Sequence, residues 1–486
     1  MTQFSRCDTT GLSVLEFNFM LPRNLICLFA VCSLLCGVQG ASANSKAEWN
    51  DSKYSKSAAG LLQDYIRVDT RNPPGNESRG VKFFAAILDA AGIEFESGES
   101  APGRGNIWAR IRGGDKPGLV LLHHMDVVPV NEKYWDVDAF AGLEKDGYIY
   151  GRGALDTKGL GILHLQAFLA LHASGIVPNR DVWFVATADE EAGGIYGAGW
   201  LKEKHPEIFE NAGFLLNEGG SGGQYQNDTV FMVEATQKVP LWLRLKALGE
   251  PGHGSRPQVE TSVTRLLRAG NKIASAQFAP HVVGPVKDMF AGLAKYQDPE
   301  FSDAFADIEK YVDSPEFMLS LQHKLPGSNA LLRNTCSVTT LVGSSKINVV
   351  PPEAVLELDC RLLPDQEPAE FLKELTELID DSNIEIESIM SFTPAISSTN
   401  TLLFESLQSV LTRFYVGAKV IPAVSTGFTD SHFFRDMGIV SYGFAPFLLG
   451  EADARTVHGN NERVSIENMQ RGTMIMIDVV DALIRD

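Results

Sequence analysis

Four clusters of imidazole and carboxylate side chains follow short apolar runs, the places where an open α/β sheet presents ligands beyond the carboxyl ends of its strands. The run 119–122 leads into His123-His124-Met125-Asp126, the run 182–187 into Asp189-Glu190-Glu191 and then Gly193-Gly194, and the run 214–216 into Asn217-Glu218-Gly219-Gly220. Between the first two lies a glycine-rich segment, 151–159, that carries Asp156 into the start of a helix; far downstream comes His458-Gly459-Asn460-Asn461-Glu462. Strand alternation puts His124 and Asp126 on one side, where Asp126 can take the second ring N–H and fix the tautomer of a metal-bound imidazole. Three successive carboxylates at 189–191 repel one another, and strong neighbouring positive charge would relieve the repulsion. Together the clusters supply two imidazoles, an aspartate able to bridge two cations, and enough glutamate for two metal sites with one carboxylate left over. Zinc takes such N and O ligands at about 2.0–2.2 Å. Two ions about 3.5–4 Å apart can hold a bridging water as hydroxide near neutral pH.

Positioning these groups needs a sheet with helices around it. Apolar spacing predicts helices over 57–68 and 80–91, with Pro73-Pro74-Gly75-Asn76 as the loop between them. The runs 119–122, 182–185 and 214–216 read as buried, mostly parallel strands, the first two separated by a helix over 160–174. From about Val239 the texture changes to alternation over 241–246, then to an amphipathic helix carrying Val263, Leu266, Leu267 and Ile273. Half-exposed strands with helices predict an inserted α+β domain. Phe301, Phe305, Ile308 and Val312 keep helical spacing within the stretch 283–345 that enlarges the insert, and alternation over 354–363 closes it. Near Phe392 the α/β texture resumes, with a helix over 402–414, a strand over 439–445 and a last helix over 466–484. The expected organisation is therefore an α/β domain in two parts, 44–237 and 391–486, interrupted by the insert 238–390.

Composition agrees with a large folded chain: 44% of residues are hydrophobic and 21% charged, which excludes global disorder. The 42 basic against 61 acidic residues give a net charge of −19, a field that repels phosphate backbones, so no nucleic-acid partner is expected. An apolar run of residues 25–38, with Arg23 before it and Ala41-Ser42-Ala43 after it, reads as a signal peptide over 1–43. It is shorter than the roughly 20 residues a membrane helix needs. A secreted or periplasmic location, without stable membrane insertion after cleavage, is the expectation. Residues 1–19 do not look like a charged leader, and Met20 is an alternative start. Cys336 and Cys360 remain beyond the signal and could form one bridge or stay as two buried thiols.

Taken in order, His124-x-Asp126-Val127-Val128-Pro129, Gly151-Arg152-Gly153-Ala154-x-Asp156-x-Lys158-Gly159, Asp189-Glu190-Glu191-x-Gly193-Gly194 and His458-x-x-Asn461-Glu462 resemble the motifs of the M20 metallopeptidases. That family includes carboxypeptidase G2-like enzymes, aminoacylases, succinyl-diaminopimelate desuccinylases and carboxypeptidase S-like proteins. The resemblance implies a di-metal catalytic domain on a mostly parallel sheet, with the insert as a ferredoxin-like lid that also dimerises. It implies two Zn2+ per chain, with Co2+ or Mn2+ able to substitute. His124 and Glu218 would ligate one ion, Glu191 and His458 the other, and Asp156 would bridge; Asp126 would orient His124, and Glu190 would be the general base. The Asp156–Thr157 peptide would be cis. In the insert, Gly252-His253-Gly254-Ser255 resembles a segment whose histidine polarises the scissile carbonyl, commonly across a homodimer, while Asn348 and Arg361 would bind substrate. The implied reaction is hydrolysis, by a metal-bridging hydroxide, of an amide or peptide bond next to a free carboxylate. Its substrates would be N-acyl amino acids or short peptides. Alternatives are an esterase or carbamoyl hydrolase, and a non-catalytic binding module of the same fold. Phe428 stands where a second glycine is common in the family's Gly-Gly-x-Asp loop, and glutamate at 218 leans toward acylase or carboxypeptidase substrates.

Overall fold

The computed structural model describes residues 51–485 except residue 257, so the signal-peptide reading of 1–43 lies outside the described residues. The central sheet has ten strands. Its order runs Phe95–Glu99, Gly105–Ile111, Arg180–Thr187, Lys116–His124, Ala212–Asn217, Val440–Gly443, Asp228–Gln237, Gly222–Tyr225 and Leu448–Leu449, with Lys419–Ser425 beside Asp228–Gln237. The middle pairs are parallel and the outermost Phe95–Glu99 pair is antiparallel, giving a mixed but mainly parallel sheet. Arg180–Thr187 is buried along its whole length, as a strand covered on both faces must be. Helix Lys158–Ser174 is apolar on nearly every side because it is packed between the sheet and helices Asp51–Ile66 and Ile466–Arg485. It ends at Gly175, whose φ of +66° is the left-handed cap conformation.

The second sheet is antiparallel, in the order Thr335–Val342, Glu353–Leu362, Val239–Leu248, Ile384–Ser391. Alternation in Val239–Leu248 sends Leu241, Leu243 and Leu245 inward, where they meet Leu266 and Ile273 of helix Ser262–Ser275 and Phe371 and Leu375 of helix Pro368–Ile379. Cys336 and Cys360 face each other in register on neighbouring strands and form a disulfide, which decides between the bridge and the free thiols. The helical stretch after residue 283 has its own small core of Val286, Phe290, Phe305, Ile308 and Leu321. The apolar stripe from Phe301 to Val312 is not one helix: Asp307, at φ −145° and ψ 64°, separates Pro299–Ala306 from Ile308–Tyr311. Helical spacing survives such a break because both short helices face the same core.

Candidate metal centre

Strands Lys116–His124, Arg180–Thr187 and Ala212–Asn217 lie together and parallel, so their carboxyl ends bring His124, the turn at Glu190 and Glu191, and Glu218 to one place. His124 Nε2 is 3.0 Å from Asp156 Oδ1 and 3.4 Å from Glu218 Oε1. On the other side, His458 Nε2 is 3.0 Å from Asp156 Oδ2 and 3.2 Å from Glu191 Oε2. Asp156 thus turns one oxygen toward each imidazole, from a turn whose Asp156–Thr157 peptide is cis. Donor atoms of His124, Asp156 and Glu218 lie within 4.8 Å of one another, as do those of Asp156, Glu191 and His458. Glu190 belongs to neither group; its Oε2 stands 3.9 Å from His124 Nε2.

Electrostatics show what the cluster lacks. Burial, reinforced by the Glu218 charge, lifts the Glu190 carboxyl well above its ordinary range, and burial beside Asp156 lifts Glu218 to about 7. Burial opposes a charge on His124, yet Glu218, Asp126 and Asp156 override it and raise its pKa well above the ordinary imidazole value. Hydrogen bonds to Asp156 and Glu191 raise His458 to about 10. The excess of carboxylate charge thus pulls both imidazoles toward their cationic form. Glu191 Oε1 is buried without a partner. Two groups of N and O donors sharing one carboxylate, with an excess of negative charge and an orphaned oxygen, fit two divalent cations of the zinc class.

Behind the cluster is a second layer that spacing alone does not reveal. His124 Nδ1 donates to the backbone carbonyl of Asp126 at 3.0 Å, while the Asp126 carboxylate is farther, at 3.4 Å. That carboxylate is occupied elsewhere: it accepts the backbone N–H groups of Glu190 and Glu191, both at 3.1 Å, and Asn72 Nδ2 at 2.8 Å. Asp126 therefore fixes the acidic turn as well as the imidazole. Asn72 Oδ1 accepts from Arg104, whose guanidinium also pairs with Glu77 at 2.7 Å and Asp189 at 3.2 Å. Glu462 is wholly buried and accepts the N–H groups of Gly153, Leu155 and Asp156 and Arg152 Nη1, bracing the turn that carries Asp156. Of these, Asp126, Asp189, Arg152 and Glu462 sat in recognisable motifs. Asn72, Glu77 and Arg104 had no signal beyond a polar residue next to a proline loop.

The remaining substrate-site candidates are not in this cluster. His253 is exposed on the short strand Gly252–His253, with its Nδ1 held by Ser255 at 2.8 and 3.1 Å. Asn348 is exposed and gives its carbonyl to Gly254. Neither side chain, among the described residues, contacts the metal-binding groups. Arg361 lies with its guanidinium 5.8 Å from the Trp242 ring and 5.3 Å from the Phe428 ring. Asp359 holds its Nε at 2.7 Å, and its Nη1 is buried without a partner. Phe428, the departure from a glycine in its loop, is thus a wall for this arginine.

The profile of peptidase family M20/M25/M40 matches residues 120–482. The N-fatty-acyl-amino acid synthase/hydrolase PM20D1 of Xenopus tropicalis is 33% identical over 381 residues, covering 76% of this chain and 74% of its own. Aminoacylase-1B of Rattus norvegicus is 27% identical over 436 residues, covering 87% of this chain and 94% of its own. Among solved structures, the M20 family metallo-carboxypeptidase Sso-CP2 of Sulfolobus solfataricus superposes with a TM-score of 0.70 at 19% identity, over 88% of this chain and 99% of its own, a likeness of fold.

Proposed function

Since the chain belongs to peptidase family M20/M25/M40 and is a metallohydrolase, we propose that it cleaves the amide bond of N-acyl amino acids whose acyl group is long and apolar. The observation that carries a hydrolytic reading is Glu190: buried, beside both donor groups, and part of neither. Zinc or a similar divalent cation at each group would supply Lewis acidity and a water acidified toward hydroxide. Glu190 takes the proton of the attacking water and delivers it to the departing nitrogen, from a position that Asp126 fixes through the backbone of the turn. Arg361, stacked between Trp242 and Phe428 with Nη1 free, is suited to the substrate carboxylate. What supports a long acyl chain is the N-fatty-acyl-amino acid chemistry named for the PM20D1 relative, together with a cavity of about 620 Å3 walled by Ile195, Met390, Phe392 and Phe433, of which Met390 lies against Gly193 at the end of the Glu190 turn.

A homodimer through the second sheet belongs to the same proposal. Its edge strand Thr335–Val342 has an unpaired side and leaves Val338, Leu341 and Val342 exposed, and His253 has no partner in the cluster of its own chain. We also propose export to a secreted or periplasmic location, from the reading of residues 1–43.

The test is Glu190→Gln in the cation-loaded mature chain, assayed on N-acyl amino acids, free dipeptides and the same compounds with the carboxylate amidated. The variant should retain its cations and lose at least about 100-fold in turnover, and the wild type should require the free carboxylate. Unchanged turnover, or equal cleavage of the amidated compounds, contradicts the reading. Sedimentation of a fully active monomer contradicts the dimer.

A further inference from the structure

A second cavity, of about 400 Å3, opens at the seam between the core of the second sheet and the helical stretch after residue 283. Phe278, Val312 and Met318 form its buried walls, and Leu319 is 56% exposed beside them. None of its lining residues belongs to the metal centre or to the Glu190 turn.

Arg333 also lines this apolar cavity. It is only 8% exposed, and its polar atoms are poorly used: Nη1 donates to Gln277 Oε1 at 2.5 Å, and Nε is buried without a partner. Among the described residues no carboxylate forms an ion pair with it. Asp313 is at the exposed rim of the cavity and leaves the guanidinium unpaired. Burial accordingly lowers the Arg333 pKa with no carboxylate contribution opposing it. A guanidinium cannot respond to burial by shedding its proton, so the charge persists at the cavity wall and a counter-ion there would stabilise it. The missing component is an anion. One guanidinium with one neighbouring amide suits a monoanion, whereas a phosphate dianion calls for more donors and meets the chain's −19 net charge. The walls call for a hydrocarbon body attached to that anion.

We propose that this cavity is a binding site for a long-chain carboxylate, its head on Arg333 and its chain along Phe278, Val312, Met318 and Leu319. The site is separate from the catalytic reading and does not depend on it. A free fatty acid and an N-acyl amino acid share the required chemistry, an anionic carboxylate on an alkyl chain.

The test is calorimetric titration of the metal-free mature chain, so that the cations play no part, with dodecanoate, N-dodecanoylglycine and methyl dodecanoate. Wild type should bind at least one of the two acids saturably, with the acids' relative affinities naming the source. The uncharged ester should bind at least tenfold more weakly, and each methylene removed from the acid should weaken it roughly fourfold. Arg333→Met should lower acid affinity at least tenfold. Because Arg333 is buried, Leu319→Asp serves as an independent variant at an exposed position that brings a carboxylate to the cavity, and it should lower acid affinity to a similar extent. Binding of the acid unchanged in both variants, equal binding of the methyl ester, or no saturable binding of either acid would overturn the assignment.

Discussion

Replacing Glu462 by glutamine isolates what the bracing carboxylate does for the metal centre. Its Oε1 accepts Leu155 N at 2.7 Å and Asp156 N at 3.1 Å, while Oε2 accepts Gly153 N at 2.9 Å and Arg152 Nη1 at 2.8 Å. A carboxamide has the same shape, but one end is an NH2 that must face two donors. Placing it at Oε2 strands the Arg152 guanidinium, which is 3% exposed and retains only Gly459 O at 2.9 Å. Placing it at Oε1 keeps that bond, and so releases the N–H groups of Leu155 and Asp156. At about 1.5–3 kcal/mol for a hydrogen bond to a charged group, two lost bonds cost about 3–6 kcal/mol. The loss falls on the turn that aims Asp156 at both imidazoles. With an unfolding entropy of about 2.1 cal/mol/K per residue over this chain, the metal-free variant should melt about 3 °C lower or more. Divalent-cation affinity, measured by competition with a chelator, should fall by roughly 10- to 100-fold, the range for residues that support ligands. A metal-free melting point within 1 °C of wild type in the E462Q assay, together with cation affinity within about twofold, refutes the bracing role.

Three further outcomes follow from buried groups. Asn72→Asp sets a second carboxylate against Asp126, 2.8 Å from the present amide nitrogen, and should lower kcat by roughly 10- to 100-fold with little change in KM; unchanged kcat rejects the link. Lys238 donates to the carbonyls of Ala330 and Arg333, both at 2.7 Å, and burial, with Arg361 nearby, holds its pKa down to about 7. Between pH 7 and the ordinary lysine value of 10.5, the unfolded chain binds the proton that the folded chain has released, so this group makes stability rise with pH across that window. Lys238→Met should remove a slope of up to about 1.4 kcal/mol per pH unit, and identical pH profiles of denaturant unfolding would contradict it. The Cys336–Cys360 bridge closes a separation of 24 residues, so the double serine variant should lose about 3 kcal/mol of stability in denaturant titrations, and a loss below about 0.5 kcal/mol contradicts that contribution.

The sheet and the clustering of the candidate donor residues were legible because both rest on local properties. A buried parallel strand is a continuous apolar run, and the polar residues that end it mark the sheet's carboxyl edge; His124, Glu191 and Glu218 each sit there. Alternation over Val239–Leu248 announced the change to a half-exposed sheet for the same reason. The break at Asp307 was not legible, because two short helices packed on one core preserve the apolar spacing of a single long one. Nor was the Asn72, Glu77 and Arg104 network, whose bonds join residues 27, 32 and 54 positions apart with no periodicity to betray them.

Asp126 shows where period-two reasoning stops. Alternation correctly places its side chain with His124, but it cannot say which donor wins a carboxylate that several can reach. Two backbone N–H groups, 64 and 65 positions away, hold it at 3.1 Å, while the ring nitrogen stands farther, at 3.4 Å. The consequence reaches the reaction. Anchoring consecutive N–H groups to one carboxylate holds the backbone at Glu190 and Glu191 in a single conformation, between Asp189 at φ +70° just before it and the positive-φ Gly193 just after. From that backbone the two side chains diverge: Glu191 reaches His458 at 3.2 Å, and Glu190 stops 3.9 Å short of His124. Adjacent identical residues thus come to differ, one joining a donor group and the other standing outside both. The difference lies in the turn that carries them, so substitutions that loosen the turn, such as Asn72→Asp, should impair proton transfer even when every residue of the two donor groups is intact.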